Sequence, residues 1–579
     1  MSHFAEVDRL VDTFVDREPV PGVAYGVVVN GELVHTRGVG TTNTATCTPP
    51  TPDTVFRIAS MTKSFTAATV LLLRDEGHLR LDDPVADHVP ELQGQRSSHP
   101  GAPAITLRHL LSMSAGFPGD DPWGDRQQDL DLGRFTEFLE GGQSFAWMPG
   151  TQFEYSNLGY AILGRVITNV TGSEYRDVVR SRLLEPMGMA STAFDVGELP
   201  VERLAAGYVH RDDGFLEEPF AGYGAFAAMG GLFSTVRDLA GWVDGLARAF
   251  APSTDADDHP LSRASRLEMQ QVHRSIEPEI MWTSIAELPT ASVDGYGFGT
   301  FVRSDMQIGK VVGHSGGYPG FGSHMRWHPA SGVGVVMLGN RTYFPASRIA
   351  ELMLTALVRA EVAPIRRLTP APALEVARRA IERLLASWDD RLAATTFSMN
   401  VDMDDPIERR RAAIERLRET HGTLHRSDEE PTFWSPIGAE WWLEGAPGRG
   451  RVKVEITLDP QPVPRVQHLE LTSVTEPDPR LRAMAEVLVT SANGGEAELT
   501  LGGDEIDRAE VERNLLFVRT LFGVARLGAP TAADGLSATF GVIAERGTLD
   551  LALSIDAGCR LLAARWTPRP SSPPRFDVR

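Results

Sequence analysis

Ser60 and Lys63 stand three residues apart in Ile58-Ala59-Ser60-Met61-Thr62-Lys63-Ser64-Phe65, a spacing that brings an amine to a hydroxyl. The chain has only three lysines, against fifty-three arginines. Arginine serves wherever a positive charge is enough, but it stays protonated in proteins, whereas a lysine amine can lose its proton and act as a base. Lys310, beside a Gly-containing turn, and Lys453, in an alternating strand, read as solvated surface lysines. Lys63 opens an apolar run over 65–73 that ends near Gly77, so Ser60 falls at a helix N-terminus with Lys63 on the same face. The exposed N–H groups and dipole of that helix end favour negative charge beside the serine oxygen. That is how a weak nucleophile is activated. With thirty-four serines present, one Ser-x-x-Lys arises by chance in about one such chain in six, so further residues must carry the argument.

Two motifs supply them. Tyr155-Ser156-Asn157 follows the turn-forming Pro149-Gly150 and begins a helix, and His314-Ser315-Gly316-Gly317 ends a strand. Tyr155 offers a phenol that relays a proton, and Asn157 an amide that binds a substrate carbonyl and the lysine amine. Alone, Tyr155 would read as a core tyrosine and Asn157 as a helix N-cap. A competing motif, Gly313-His314-Ser315-Gly316-Gly317, matches the Gly-x-Ser-x-Gly nucleophile elbow, which needs a helix directly after the serine. Tyr318-Pro319-Gly320 and strand-like alternation follow instead. Gly119 to Asp125 reads as a rim loop in which Trp123 forms either an acyl-group wall or a packing contact.

With Ser-x-x-Lys, Tyr-x-Asn and His-x-Gly present in that order, the chain resembles the serine hydrolases of the class C β-lactamase and penicillin-binding-protein family, with its esterase, D-aminopeptidase and DD-peptidase relatives. The resemblance covers residues 5–360 and includes Leu110-Leu111-Ser112-Met113-Ser114-Ala115-Gly116-Phe117 and Met229-Gly230-Gly231-Leu232-Phe233-Ser234. It implies Ser60 as the acylated nucleophile, Lys63 as its base, Tyr155 as the proton relay to the leaving group and His314 as the strand residue flanking the substrate. Asn157, Ser315, Gly316, Gly317 and Trp123 would line the substrate, and the backbone N–H groups of Ser60 and Gly317 would form an oxyanion hole. The implied fold is α+β: a β-lactamase/transpeptidase-like domain, with an antiparallel sheet flanked by helices and a helical subdomain, plus two small C-terminal α+β modules. His314 stands where β-lactamases usually carry lysine, and no Glu-x-x-x-Asn motif lies near Tyr155, so efficient β-lactam destruction is not expected. The expected substrate is a small ester, amide or short peptide, with D-amino acid compounds included. Acyl transfer or peptide cyclisation, and acylation of a ligand sensor without turnover, are the alternative readings.

The elements that must position these residues follow from patterning. Residues 1–18 form an amphipathic helix, with neither the basic start nor the apolar core of a signal peptide. Strands over 23–29 and 32–39 flank Asn30-Gly31, a hairpin signal. Residues 60–242 read as helices and loops, including 157–170, 175–184 and 234–250. Strands return over 296–302, 310–314, 322–327 and 334–338, before a helix over 346–358. Strands at both ends predict one sheet closed by the chain's two extremities. Pro364, Pro370 and Pro372 mark a linker over 362–373. Beyond it, helix-Gly-strand sequences over 406–458 and 508–555 read as a degenerate duplication with a boundary near Glu476-Pro477-Asp478-Pro479. The expected domains are 1–362, 374–475 and 476–567, with a disordered tail over 568–579.

A net charge of -21 argues against nucleic acid or an anionic membrane as partner. Two cysteines, Cys47 and Cys559, give no disulfide framework or zinc pattern, and no His-Glu-x-x-His occurs. His324 and His328 read as structural or surface residues. Neither cofactor nor metal is expected, no apolar run reaches membrane-spanning length, and the expected address is cytoplasmic.

Overall fold

The computed structural model describes residues 3–95, 100–212, 214–251, 257–277, 280–283, 288–305, 308–366, 369–497, 499–502, 507–545 and 547–569. The chain divides into two compact units, 1–280 with 291–366 and 281–290 with 367–579.

In the first unit, helix α1 (His3–Arg17) buries Val7, Val11 and Phe14. Strands β1 (Gly22–Val29) and β2 (Glu32–Gly40) form the expected hairpin. Asn30 and Gly31 take φ of 48° and 90°, the left-handed pair that a two-residue turn needs. The main sheet continues through β3 (Leu288–Tyr296), β4 (Phe301–Asp305), β5 (Gly309–Tyr318), β6 (Phe321–His328) and β7 (Val333–Gly339) in the order β2-β1-β7-β6-β5-β4-β3. The closure joins distant segments: Val23 pairs with Gly339 and Val29 with Val333, antiparallel. Strand β1 is apolar on both faces because both are covered. Helix Val236–Arg248 lies against β1 and β7, while helix Ala346–Arg359 packs on β6 and β7 and on α1.

Some expectations are corrected. The segment read as one strand over 296–302 is the reversal between β3 and β4, where the Gly297 N–H donates to the Thr300 carbonyl at 2.8 Å and Gly299 takes φ 68°. Aromatic residues continue on both sides of the turn, so the apolar pattern hides the glycine-mediated reversal. A Cβ at Gly299 would stand 2.5 Å from the Lys63 carbonyl oxygen, so the turn is built to approach that residue's backbone. The helical middle region also contains a hairpin, Gly207–Arg211 with Gly214–Glu218. Lys310 is not a solvated lysine: its ammonium stands 5.0 Å from the Phe250 ring centroid and burial lowers its pKa to about 8. Lys453 lies between Glu440 and Glu455, at 3.4 and 3.6 Å.

The second unit contains two helix-plus-antiparallel-sheet bodies with separate cores. Helices Pro372–Ala386 and Ile407–His421 belong with the strands from His425–Arg426 to Val466–Val474, around Leu374, Ile381, Trp441, Val454 and Ile456. Pro372, read as linker, is the first residue of its helix, where a missing N–H costs nothing. Helices Pro479–Ala492 and Arg508–Phe522 cover strands Ala525–Asp534, Ser537–Ala544, Gly547–Ile555 and Leu561–Arg569, around Leu488, Val518, Phe540 and Leu551. Helices Ile407–His421 and Arg508–Phe522 end on glycines of nearly equal geometry, Gly422 at φ 73°, ψ -144° and Gly523 at φ 76°, ψ -152°. Pro568 and Arg569, assigned to a tail, complete the last strand, with Pro568 opposite Leu549. That strand is an edge, where proline is tolerated. Residues 570–579 of the expected tail lie outside the described residues.

A chain ending after Arg366 is expected to fold cooperatively, since the first unit has its own core and Arg366 itself bonds the Ala330 and Pro329 carbonyls. Thermal unfolding followed by circular dichroism checks this, and an insoluble product or a broad, non-cooperative melt would place the boundary elsewhere.

Candidate active site

Strand Phe56–Arg57 leads into a tight turn, Ala59–Met61, and then into helix α2 (Thr62–Asp75). Ala59, just before Ser60, is held at φ 47°, a conformation that costs an L-residue about 1–2 kcal/mol. Packing holds the turn in place. A Cβ at Gly316 would stand 2.1 Å from the Ile58 carbonyl oxygen, and Ser323 donates to that same oxygen at 2.8 Å. Glycine at 316 is therefore what lets β5 press on the nucleophile turn. On the other side of α2, Phe65 stacks on Trp242 at 4.0 Å, worth about 0.5–1.5 kcal/mol beyond its area, and Trp242 donates to Ser64 at 3.0 Å.

One turn into this arrangement, the fully buried Lys63 Nζ lies 2.9 Å from Ser60 Oγ, 2.7 Å from Asn157 Oδ1 and 2.8 Å from the Met229 carbonyl oxygen. The last two atoms only accept. Asn157 Nδ2 donates to Asp121 at 2.8 Å, which fixes the amide with its oxygen toward Lys63. Ser60 is thus the one of the three partners that can give Lys63 a proton. The ammonium donates to all three oxygens, and the neutral amine keeps two of those bonds and accepts from the Ser60 hydroxyl in place of the third. Burial lowers the Lys63 pKa from the ordinary 10.5, while the charges of Asp121, Asp125 and Asp120 pull it back up.

Tyr155 precedes helix α3 (Asn157–Thr171), and its ring centroid lies 4.9 Å from Lys63 Nζ. Desolvation raises its phenol well above the ordinary 10, against the opposing effect of its hydrogen bond with Ser60. Tyr155 therefore holds a proton that it can donate. Asp120 anchors α3 by accepting from the Asn157 and Leu158 N–H groups at 2.6 and 2.9 Å.

His314 lies behind this cluster. Its ring is buried, Nδ1 meets the Ser315 carbonyl oxygen at 2.6 Å and Nε2 meets the Tyr296 hydroxyl at 3.0 Å. The carbonyl only accepts, so Nδ1 carries the hydrogen and Nε2 receives one from Tyr296. Burial and the Lys63 charge push its pKa down to about 3, so the ring is neutral. Both ring nitrogens are occupied within the fold.

The remaining expected residues separate. Ser315 Oγ turns to His324 Nδ1 at 2.8 Å, while His324 Nε2 accepts from Arg326 Nε at 3.2 Å. His324 thereby donates to Ser315 and cannot serve as its base, and Ser315 sits within a strand. The nucleophile-elbow alternative fails on both counts, and the Ser315 hydroxyl is a poor substrate ligand. Gly317 makes room for Tyr343, whose Cδ1 would lie 2.7 Å from a Cβ there. Tyr343 is 47 % exposed, takes φ 49° and donates to Asp125 at 2.7 Å. Trp123, 43 % exposed, packs on Phe138 and Phe226. The supposed rim loop instead brings Asp120, Asp121 and Asp125 into the cluster, three carboxylates the sequence reading passed over. Asp120 preceding the Pro122 helix start was their only local signal. Among the described residues a trio able to hold a metal ion, Glu455, His468 and Glu470, occurs in the second unit, its ligand atoms within 4.8 Å of one another.

The family model described as Beta-lactamase matches residues 7–360. Among curated proteins, Protein flp of Staphylococcus aureus (strain N315) is 27% identical over 367 residues, covering 61% of this chain and 66% of its own length. The chain thus spans just under two thirds of that relative. Penicillin-binding protein 4 of Amycolatopsis lactamdurans is 32% identical over 328 residues, 55% of this chain and 81% of the relative. Among solved structures, the octameric penicillin-binding protein homologue from Pyrococcus abyssi has a similar fold, with TM-score 0.53 and 20% identity over 98% of this chain and 99% of that one. The family match covers more than half of the sequence and contains Ser60, Lys63, Tyr155, Asn157 and His314: the chain belongs to the beta-lactamase family.

Proposed function

We propose that the chain is a serine hydrolase that cleaves a small ester or amide, D-amino acid compounds included, through an acyl-enzyme on Ser60. The cage around Lys63 carries this reading, because Ser60 is the one partner able to give that amine a proton. Ser60 Oγ attacks the substrate carbonyl carbon as its proton passes to Lys63. The backbone N–H groups of Ser60 and Gly317 serve as the donors for the resulting oxyanion. Tyr155, protonated by virtue of its burial, gives its proton to the leaving oxygen or nitrogen and is restored from Lys63. Water then repeats the sequence on the acyl group. Neutral His314 offers no charge to a substrate carboxylate, which argues against a β-lactam as the preferred substrate.

Two free, exposed thiols, Cys47 and Cys559, fit a reducing, cytoplasmic setting, and no helix among the described residues is long and apolar enough to cross a membrane.

Intact-protein mass spectrometry after exposure to p-nitrophenyl esters, D-amino acid amides and a penicillin tests the proposal. The expected result is an adduct that appears and clears as product accumulates. A permanent adduct without turnover would favour the ligand-sensing alternative. Clearance only when an amine or alcohol is added would favour acyl transfer or cyclisation.

A further inference from the structure

Tyr343 is half-exposed, and among the described residues no other aromatic ring stacks on it, yet it is held firmly in place. Its backbone takes φ 49°, a left-handed angle that is unfavourable for a bulky L-residue, with its N–H donating to the Phe321 carbonyl at 3.1 Å. The near edge of the ring lies over Gly317, where a Cβ would stand 2.7 Å from Cδ1 and 3.3 Å from Cε1. At the far end the hydroxyl donates to Asp125 at 2.7 Å, and that aspartate is buried. An unfavourable backbone angle, a strand position kept bare by glycine and a buried carboxylate thus all hold a ring that the hydrophobic core does not use.

Its place gives the ring a use. Gly317 carries one of the two N–H groups assigned to the oxyanion, and Asp125 acts by its charge on Lys63. The ring therefore runs from the oxyanion strand to the surroundings of the catalytic amine, and it borders the space a substrate carbonyl enters to reach Ser60. It offers a flat π-face there, which favours another ring, by offset stacking, over an aliphatic group of equal size. We propose that Tyr343 is a specificity-determining residue, the wall on which an aromatic group next to the scissile carbonyl lies flat. The proposal rests on the serine-hydrolase reading and adds the substrate class to it: esters or amides that carry an aromatic ring close to that carbonyl.

Two pairs of esters test it in the full chain. p-Nitrophenyl phenylacetate against p-nitrophenyl cyclohexylacetate varies the acyl side, and benzyl acetate against cyclohexylmethyl acetate varies the leaving side. In at least one pair the aromatic ester is expected to show a kcat/KM about fivefold higher, relative to uncatalysed hydrolysis, with most of the difference in KM. The pair that shows it tells on which side of the carbonyl the ring lies. Tyr343→Asn, whose side chain tolerates the left-handed angle, is expected to bring that ratio close to one, and Tyr343→Phe, which keeps the ring, to preserve it. A residue that only tethers its loop would lower turnover of all the esters alike and leave the ratio unchanged. Ratios near one in both pairs with the native chain, a ratio that survives Tyr343→Asn, or one lost in Tyr343→Phe would each overturn the proposal. Tyr343→Gly, unstrained at the same angle, replaces Tyr343→Asn if that chain fails to fold, and the native ratios remain a test in either case. Hydrolysis of none of the esters, with no fluorophosphonate label on Ser60, would instead overturn the serine-hydrolase reading beneath it.

Discussion

Ser60→Ala is expected to abolish covalent labelling by a fluorophosphonate and to lower ester turnover by roughly 10⁴-fold or more, the scale seen when a catalytic nucleophile is removed. The bond to the acyl group forms at Ser60 Oγ, and among the described residues no other hydroxyl is hydrogen-bonded to Lys63. Ser315→Ala is the control that gives the experiment its meaning. Ser315 lies in the rival elbow motif, but its oxygen receives a hydrogen bond from His324, whose far nitrogen is occupied by Arg326. A donor cannot take the serine's proton. The Ser315→Ala chain is therefore expected to label, and the mass shift to map to the peptide containing Ser60. Labelling that survives Ser60→Ala and vanishes in Ser315→Ala would move the nucleophile to β5. The experiment reads bond formation rather than turnover, so it does not depend on knowing the natural substrate.

What the sequence made legible has a common physical origin. Asn30-Gly31 fixes a hairpin through local backbone preference, and a serine three residues before a lysine fixes a shared helix face, so both could be read from a few adjacent residues. The closure of the sheet by β1 and β7 was readable because strand patterns at both ends of the first unit had few other partners. The errors arose where direction mattered. His314 alternates correctly along β5, yet its hydrogen bond with Tyr296 from β3 is announced by no local pattern. Gly119 to Asp125 has the composition of a surface loop, and composition does not say that its carboxylates turn inward to Asn157 and Tyr343. Tyr343 adopts a left-handed backbone angle with no glycine or asparagine to signal it. The reversal at Gly297 to Thr300 was hidden by aromatic residues that kept the strand-like alternation going. Local chemistry was therefore read better than the polar contacts between segments, and here those contacts set the electrostatics of the site.

Lys63→Arg is expected to be nearly as damaging as Lys63→Ala. The cage around Nζ would accept a positive charge from either cationic residue, and Asp121, Asp125 and Asp120 would stabilise both. A guanidinium, however, neither fits a three-point cage sized for an amine nor releases a proton at working pH. If Lys63 served only as a charge, arginine would keep much of the rate. Retention of more than about a tenth of the native kcat, a loss under roughly 1.4 kcal/mol of barrier, would show that it does. The pH dependence supplies an independent check with a definite sign. The active form carries neutral Lys63, so kcat/KM should rise with pH as the amine deprotonates. The midpoint should fall below the ordinary lysine value of 10.5, because burial disfavours the ammonium by more than the three carboxylates favour it. Removing one of those carboxylates weakens the stabilisation of the ammonium, so Asp121→Asn should move the midpoint to lower pH. A shift to higher pH, or a profile that falls as Lys63 deprotonates, would mean that the working form of this lysine is the charged one.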